Sequence, residues 1–203
     1  MKAIVLGGSG LIGSLLIDKL LDLSSSVDAP VRRIVPQNCQ QMMIKSLSDL
    51  DHIKTDADIL FYCLGTTKQN AGNAYEFEKI EMEMCKHSIH LIKNNKIKRI
   101  ILLSSFGTDE NAKGVYLKTK FKIECLFKNE FSDRLVIFKP SLLIGKRDEH
   151  RPAEFVGQKI AKAFSLFIPA KYQGVPANTL VSKMVTLAES NFVGTIENEE
   201  ILN

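Results

Sequence analysis

The first seventeen residues read MKAIVLGGSGLIGSLLI. Residues 3–6 form a short apolar run with the character of a buried strand. The run breaks at Gly7, Gly8 and Gly10 and resumes from Leu11 as an apolar helix that carries Gly13 in its first turn. A strand turning through glycines into a helix aims unpaired N–H groups and a positive dipole end at the turn, and glycine lets a ligand approach the backbone closely. In this order of elements the spacing points to a dinucleotide phosphate site. Two registers fit. Gly8-Ser9-Gly10-Leu11-Ile12-Gly13 gives G-x-G-x-x-G, and Gly7, Gly10 and Gly13 give G-x-x-G-x-x-G. In either register Gly10 faces the pyrophosphate and Gly13 packs helix on strand.

The rest of the chain alternates strand and helix. A helix is expected over 11–23, a loop at Ser24-Ser25-Ser26, a second strand over 27–31 with Pro30 at an edge or strand end, and a weakly patterned third over 42–47. Residues 59–64 make a strong buried strand ending at Gly65-Thr66-Thr67. A long helix over 74–94 leads to another buried strand, 100–103, ending at Ser104-Ser105. Then come a helix over 115–128 and a strand over 135–138 stopped by Pro140. Continuous apolar strands separated by helices predict a doubly wound parallel α/β sheet. One domain is expected over 1–203, with residues from about 146 forming a small, substrate-side appendage, helical over 154–167 and 180–190. Ligands bind at the carboxyl ends of such strands. The glycine turn, Gly65-Thr66-Thr67 and Ser104-Ser105 should therefore meet in one crevice.

Composition narrows the setting. The net charge of +4 over 203 residues lacks the concentrated basic face that nucleic acid requires. Cys39, Cys63, Cys85 and Cys125 are widely spaced, with no metal-ligand spacing to any histidine, and read as reduced thiols. His87 and His90 read as helix-surface residues, and no metal is expected. No run reaches the roughly 18 apolar residues of a membrane span, and the glycines with Asp18 and Lys19 do not suit a signal peptide. The expected setting is cytoplasmic.

The crevice carries candidate chemistry. Tyr116 and Lys120 stand at i and i+4 on one helix face. A nearby ammonium favours the phenolate and suits a tyrosine to acid–base work. Ser105, or failing that Ser104, sits at a strand end from which a hydroxyl can polarise a carbonyl oxygen. For the cofactor, Asp28 lies near the start of the second strand, whereas Arg32 and Arg33 mark its end. A guanidinium fork there suits a ribose 2′-phosphate, so NADP is favoured over NAD. His150 and Arg151, near the cleft mouth, read as surface ion-pairing groups, and Phe164, Phe167 and Ile168 as a packing face.

Together these features resemble the atypical or extended short-chain dehydrogenases/reductases. Cys63-Leu64-Gly65-Thr66-Thr67, Leu103-Ser104-Ser105, Tyr116-Leu117-x-x-Lys120, Lys139-Pro140-Ser141-Leu142-Leu143 and Arg147–Pro152 resemble the Tat-interacting-protein branch of that superfamily. The resemblance implies an NADP(H)-binding fold in which Ser105 binds a carbonyl, Tyr116 is acid and base, and Lys120 tunes Tyr116 and holds the nicotinamide ribose. It also implies that Pro140, Ser141 and Leu142 line the nicotinamide, and it makes a homodimer an expectation. The family's adenine-contacting aspartate is missing: Ser46 stands in its place, with Asp49 three residues on. Two functions follow as expectations. One is an NADP-dependent oxidoreductase acting on a small carbonyl or alcohol substrate. The other is an NADP(H)-binding redox sensor or regulatory interaction protein with little turnover. The chain's length speaks against a nucleotide-sugar epimerase or dehydratase with a larger C-terminal domain.

Overall fold

The structure is a computed structural model that describes residues 1–145 and 169–203. Strands β1 (Lys2–Leu6), β2 (Ser26–Val31), β3 (Gln40–Met43), β4 (Ile59–Tyr62), β5 (Arg99–Leu103), β6 (Leu135–Lys139) and β9 (Gly194–Glu197) form one sheet in the order β3-β2-β1-β4-β5-β6-β9. Every pairing is parallel. Two further strands, β7 (Leu143–Ile144) and β8 (Val175–Pro176), pair with each other beside it.

Side chains alternate across the pleat, which explains why these strands are apolar throughout. Ala3, Val5, Phe61, Val136 and Phe138 face one side, where helices α1 (Leu11–Asp22) and α5 (Ala177–Ala188) cover them. Ile4, Leu6, Leu60, Tyr62, Leu102 and Ile137 face the other, under α3 (Ala74–Asn94), which follows the single turn α2 (Lys68–Ala71), and α4 (Val115–Phe131). Each fully buried Leu, Ile or Phe contributes on the order of 1.5–3 kcal/mol. On the second face the Tyr62 and Phe127 rings meet edge to face at 5.2 Å.

The order reverses at β1, with β2 and β3 on one side and β4 to β6 on the other. A crevice opens at the carboxyl ends there. Register aligns its rim: Leu6 pairs with Tyr62, Tyr62 with Leu102, and Leu102 with Ile137. The loops after β1, β4, β5 and β6 therefore emerge side by side.

Two expectations shift and one holds. The third strand lies at Gln40–Met43, not 42–47, because its half-exposed residues give no strong pattern. Pro30 does sit near a strand end: β2 pairs with β1 only as far as Asp28, beyond which proline's missing N–H costs no bond to β1. The tail contributes more than helices, since β9 becomes the seventh strand and α6 (Asn198–Leu202) follows it. The helix expected over 154–167, with His150, Arg151, Phe164, Phe167, Ile168 and the Arg147–Pro152 segment, lies outside the described residues.

Candidate active site

The glycine turn shows which glycines the chain itself needs. Gly7 has φ +90°, and a Cβ on it would fall 2.5 Å from the Cys63 carbonyl oxygen of the β4 end. A Cβ on Gly13 would lie 2.1 Å from the Gly7 oxygen, so α1 could not seat on β1. At Gly10 the nearest atom would be the Gly7 oxygen at an ordinary 3.4 Å. Packing therefore demands Gly7 and Gly13 but leaves open space over Gly10. Gly10 is the N-cap of α1, in extended conformation and with no side-chain cap. Its own N–H is spent on the Gly7 oxygen at 2.9 Å. No side chain of the N-cap takes up the first N–H groups of the helix, at Leu11 and Ile12.

A cavity of about 650 Å³ starts at this turn and runs along the carboxyl ends of the sheet. That volume suits a small-molecule or cofactor site. It gathers Gly7, Ser9, Gly10, Leu11 and Ile12, then Arg32 and Arg33, Leu64 to Thr66, Ser104 and Ser105, Tyr116 and Lys120, and Pro140 and Ser141. Of the residues expected to hold the cofactor, Gly13 and Leu142 alone do not line it. Gly13 does its work behind the turn. The Leu142 oxygen accepts the Val175 N–H at 2.8 Å, and its neighbour Leu143 reaches the cavity instead.

At the β2 end Arg32 and Arg33 are exposed on the cavity wall. Asp28 is buried in the strand and accepts from the Thr55 hydroxyl at 2.5 Å, away from the carboxyl end. Ser46 and Asp49 are engaged with each other. The Lys45 and Ser46 N–H groups donate to the Asp49 carboxylate at 2.6 and 3.0 Å and hold its carboxyl below the usual range, capping the short helical turn Leu47–His52. The cavity wall here also includes Ile44, Leu47 and Leu50, which sequence reasoning did not single out.

At the other end the two serines differ. Ser104 donates to Glu124 Oε1 at 2.5 Å, and the Thr108 hydroxyl lies 2.5 Å from the same oxygen, while Lys139 Nζ sits 3.1 Å from Glu124 Oε2. Ser105 lines the cavity, and among the described residues its hydroxyl has only a long 3.4 Å contact to the Phe106 oxygen. Tyr116 occupies the first turn of α4, 43% exposed, with its ring 5.9 Å from Phe77. Lys120, one turn on, is buried beneath Gly65 with Nζ 2.9 Å from Glu81 Oε2. Glu81, on α3, also escaped the sequence reading; a polar position inside an otherwise apolar helix face was its only signal. Burial pushes the Cys63 and Cys85 thiols up to about 12, with Lys120 opposing in both. Neither is a ready nucleophile. Among the described residues no cluster of three metal-ligating side chains occurs, and no helix is long and apolar enough to cross a membrane.

A sequence model of the NAD dependent epimerase/dehydratase family matches residues 3–167. The chain belongs to that family. It is 30% identical to Protein HTATIP2 of Rattus norvegicus over 212 residues, spanning 98% of this chain and 87% of that protein. This bears out the resemblance to the Tat-interacting-protein branch. Protein FMP52, mitochondrial, of Eremothecium gossypii is 26% identical across 100% of this chain and 96% of its own length. Among solved structures, the UDP-N-acetylglucosamine 4-epimerase from Bacillus cereus superposes with a TM-score of 0.72 at 16% identity, covering 99% of this chain and 82% of that one. At that identity the likeness shows the fold. Family membership places the chain among NAD(P)-dependent enzymes of the extended short-chain dehydrogenase/reductase type. The expected cytoplasmic setting is overturned, because FMP52 relatives from Eremothecium gossypii, Candida albicans and Aspergillus niger are named mitochondrial. Free cysteines report a reducing environment, not an address, and so did not discriminate.

Proposed function

We propose that the protein is an NADP-dependent oxidoreductase acting on the carbonyl or alcohol group of a small substrate. The observation that carries this reading is the continuity of one cavity from the uncapped start of α1 to Ser105, Tyr116 and Lys120. The pyrophosphate rests on the Leu11 and Ile12 N–H groups, where backbone donors and helix dipole favour an anion. Arg32 and Arg33 take the 2′-phosphate, the role for which a guanidinium is suited. Ile44, Leu47 and Leu50 offer the adenine an apolar wall. When bound, the nicotinamide supplies or accepts a hydride. Ser105 holds the substrate oxygen, and Tyr116 exchanges a proton with it. Lys120 fixes the ribose end and the electrostatics around Tyr116.

The test compares NADPH with NADH by cofactor fluorescence, then follows aldehydes, ketones and quinones for NADPH-dependent turnover. Tighter binding of NADPH is expected, with Arg32→Ala and Arg33→Ala each weakening NADPH about tenfold or more and leaving NADH unchanged. Indifference of NADPH to both substitutions sinks the assignment of the phosphorylated cofactor. Tight NADPH binding with no turnover of any carbonyl favours the sensor reading.

A further inference from the structure

One buried polar side chain behind the loop after β6 has no part in the chemistry above. Asn198 opens α6, directly after β9, and is fully buried. An amide side chain carries an acceptor oxygen and a nitrogen with two N–H donors, and burying them is costly unless they are met. Here both atoms are engaged. Asn198 Oδ1 accepts the Ser141 N–H at 2.6 Å, and Nδ2 donates to the Ala170 oxygen at 2.8 Å and to the Gln173 oxygen at 2.9 Å. The Ser141 hydroxyl donates to the same Gln173 oxygen. Asn198, Ser141 and Gln173 thus close a ring of hydrogen bonds.

This ring stands behind one end of the cavity. Pro140 and Ser141 line the cavity, whereas Asn198 does not. The loop has two further anchors. The Pro140 oxygen accepts the N–H of Phe106, the residue after Ser105, at 2.9 Å, and the Leu142 oxygen accepts the Val175 N–H at 2.8 Å. Between them the Ser141 N–H is held from behind by Asn198. In the sheet order three strands, β1, β4 and β5, separate β6 from β2, whose end carries Arg32 and Arg33. The bonds of Asn198 therefore bear on one end of the cavity and leave the other alone.

We propose that Asn198 is a positioning residue that holds the Pro140–Ser141 loop where it receives the nicotinamide end of the dinucleotide. The inference rests on the oxidoreductase reading, in which Pro140 and Ser141 line the nicotinamide. Contact with the ligand belongs to the loop, and Asn198 acts through the Ser141 N–H. Without the amide the loop takes other positions as well, and a ligand that needs one of them binds more weakly in proportion to the fraction lost. The loss falls on the nicotinamide half. The pyrophosphate and the 2′-phosphate, seated at the ends of β1 and β2, do not depend on this loop.

The experiment uses two probes on the full chain, NADPH and 2′-phospho-ADP-ribose, which keeps the adenosine and every phosphate but lacks the nicotinamide. Titration calorimetry compares them in the wild type and in Asn198→Ala. NADPH should bind about tenfold more weakly to the variant, as for a loop in its binding position about a tenth of the time. The affinity of 2′-phospho-ADP-ribose should stay within about twofold of the wild type. A merely structural asparagine would weaken both probes together or neither, and either result overturns the proposal. If the alanine variant does not fold, Asn198→Asp keeps an acceptor for the Ser141 N–H and gives up the amide donors to Ala170 and Gln173. It should show the same selective loss of NADPH at a smaller size, and equal effects on the two probes overturn the proposal. A wild type that binds neither probe defeats the oxidoreductase reading itself, whereas equal losses in a variant of a protein that binds both overturn the role of Asn198 alone.

Discussion

Two buried glutamate–lysine pairs stand on the same side of the sheet, and their differences separate support from chemistry. Glu124 of α4 meets Lys139 of β6 and collects the hydroxyls of Ser104 and Thr108. Lys139 also donates to the Thr108 oxygen at 2.9 Å. Neither member lines the cavity. This cluster ties the ends of β5 and β6 to α4. Glu81 meets Lys120 with fewer donors, a single backbone N–H besides the ammonium, and Lys120 lines the cavity. The first pair is closed on itself. The second keeps a face toward whatever occupies the crevice. A buried ion pair is thus no mark of a functional site by itself; what matters is whether one partner has donors left over at a cavity.

The largest effect that separates the pairs is on stability. Glu124→Ala removes the carboxylate that meets the Lys139 ammonium and the Ser104 hydroxyl, while Thr108 keeps the Ser105 oxygen, and should cost about 3–5 kcal/mol in urea unfolding. The companion Lys139→Met should also lower stability, with turnover per folded molecule held within about twofold. A comparable fall in turnover would erase the distinction between the pairs. Next in size, Lys120→Met should reduce turnover about a hundredfold or more, the range of a general acid–base contribution, and loosen NADPH as well. Turnover retained in this variant would reduce the crevice pair to a structural one.

A smaller contrast concerns the turn at the far end of the cavity. Gly13→Ala meets the Gly7 oxygen and should lower the melting temperature together with cofactor affinity. Gly10→Ala has room within the protein and should keep the fold while weakening NADPH. If both variants behave alike, the space over Gly10 is not kept for a ligand.

The mildest comparison uses the thiols flanking Lys120. With Cys63 and Cys85 pushed to about 12 from an ordinary 9.0, the folded chain keeps protons that the unfolded chain releases between those values. Their stabilising effect is therefore full below about pH 9 and lost as pH rises toward 12. Alkylation of the native protein at pH 8 should pass over both cysteines and accelerate with urea. Rapid native labelling of either would mean that the crevice floor is more open than the structure describes.

Much of this arrangement was legible in the sequence because its signals are local. The glycine turn, the apolar strands and the Tyr116–Lys120 spacing each follow from backbone geometry within a few residues, and the parallel sheet then brings distant loops to one edge. The strand β9 was not legible. Only Ile196 is buried in it, so it has no apolar run and depends on pairing with β6. Glu81 was hidden for a related reason. Its partner is 39 residues away on another helix, and no periodicity links two residues that meet only after the sheet has formed. The difference between Ser104 and Ser105 is also tertiary, since it is Glu124 that takes up the first hydroxyl and leaves the second at the cavity.

The central claim is that the crevice binding the dinucleotide also performs proton transfer through Tyr116. Its most direct test measures NADPH binding and NADPH-dependent carbonyl turnover side by side in the wild type and in Tyr116→Phe. The account predicts that the variant binds NADPH within about threefold of the wild type, while turnover falls a hundredfold or more. Turnover that survives the substitution unchanged would contradict it.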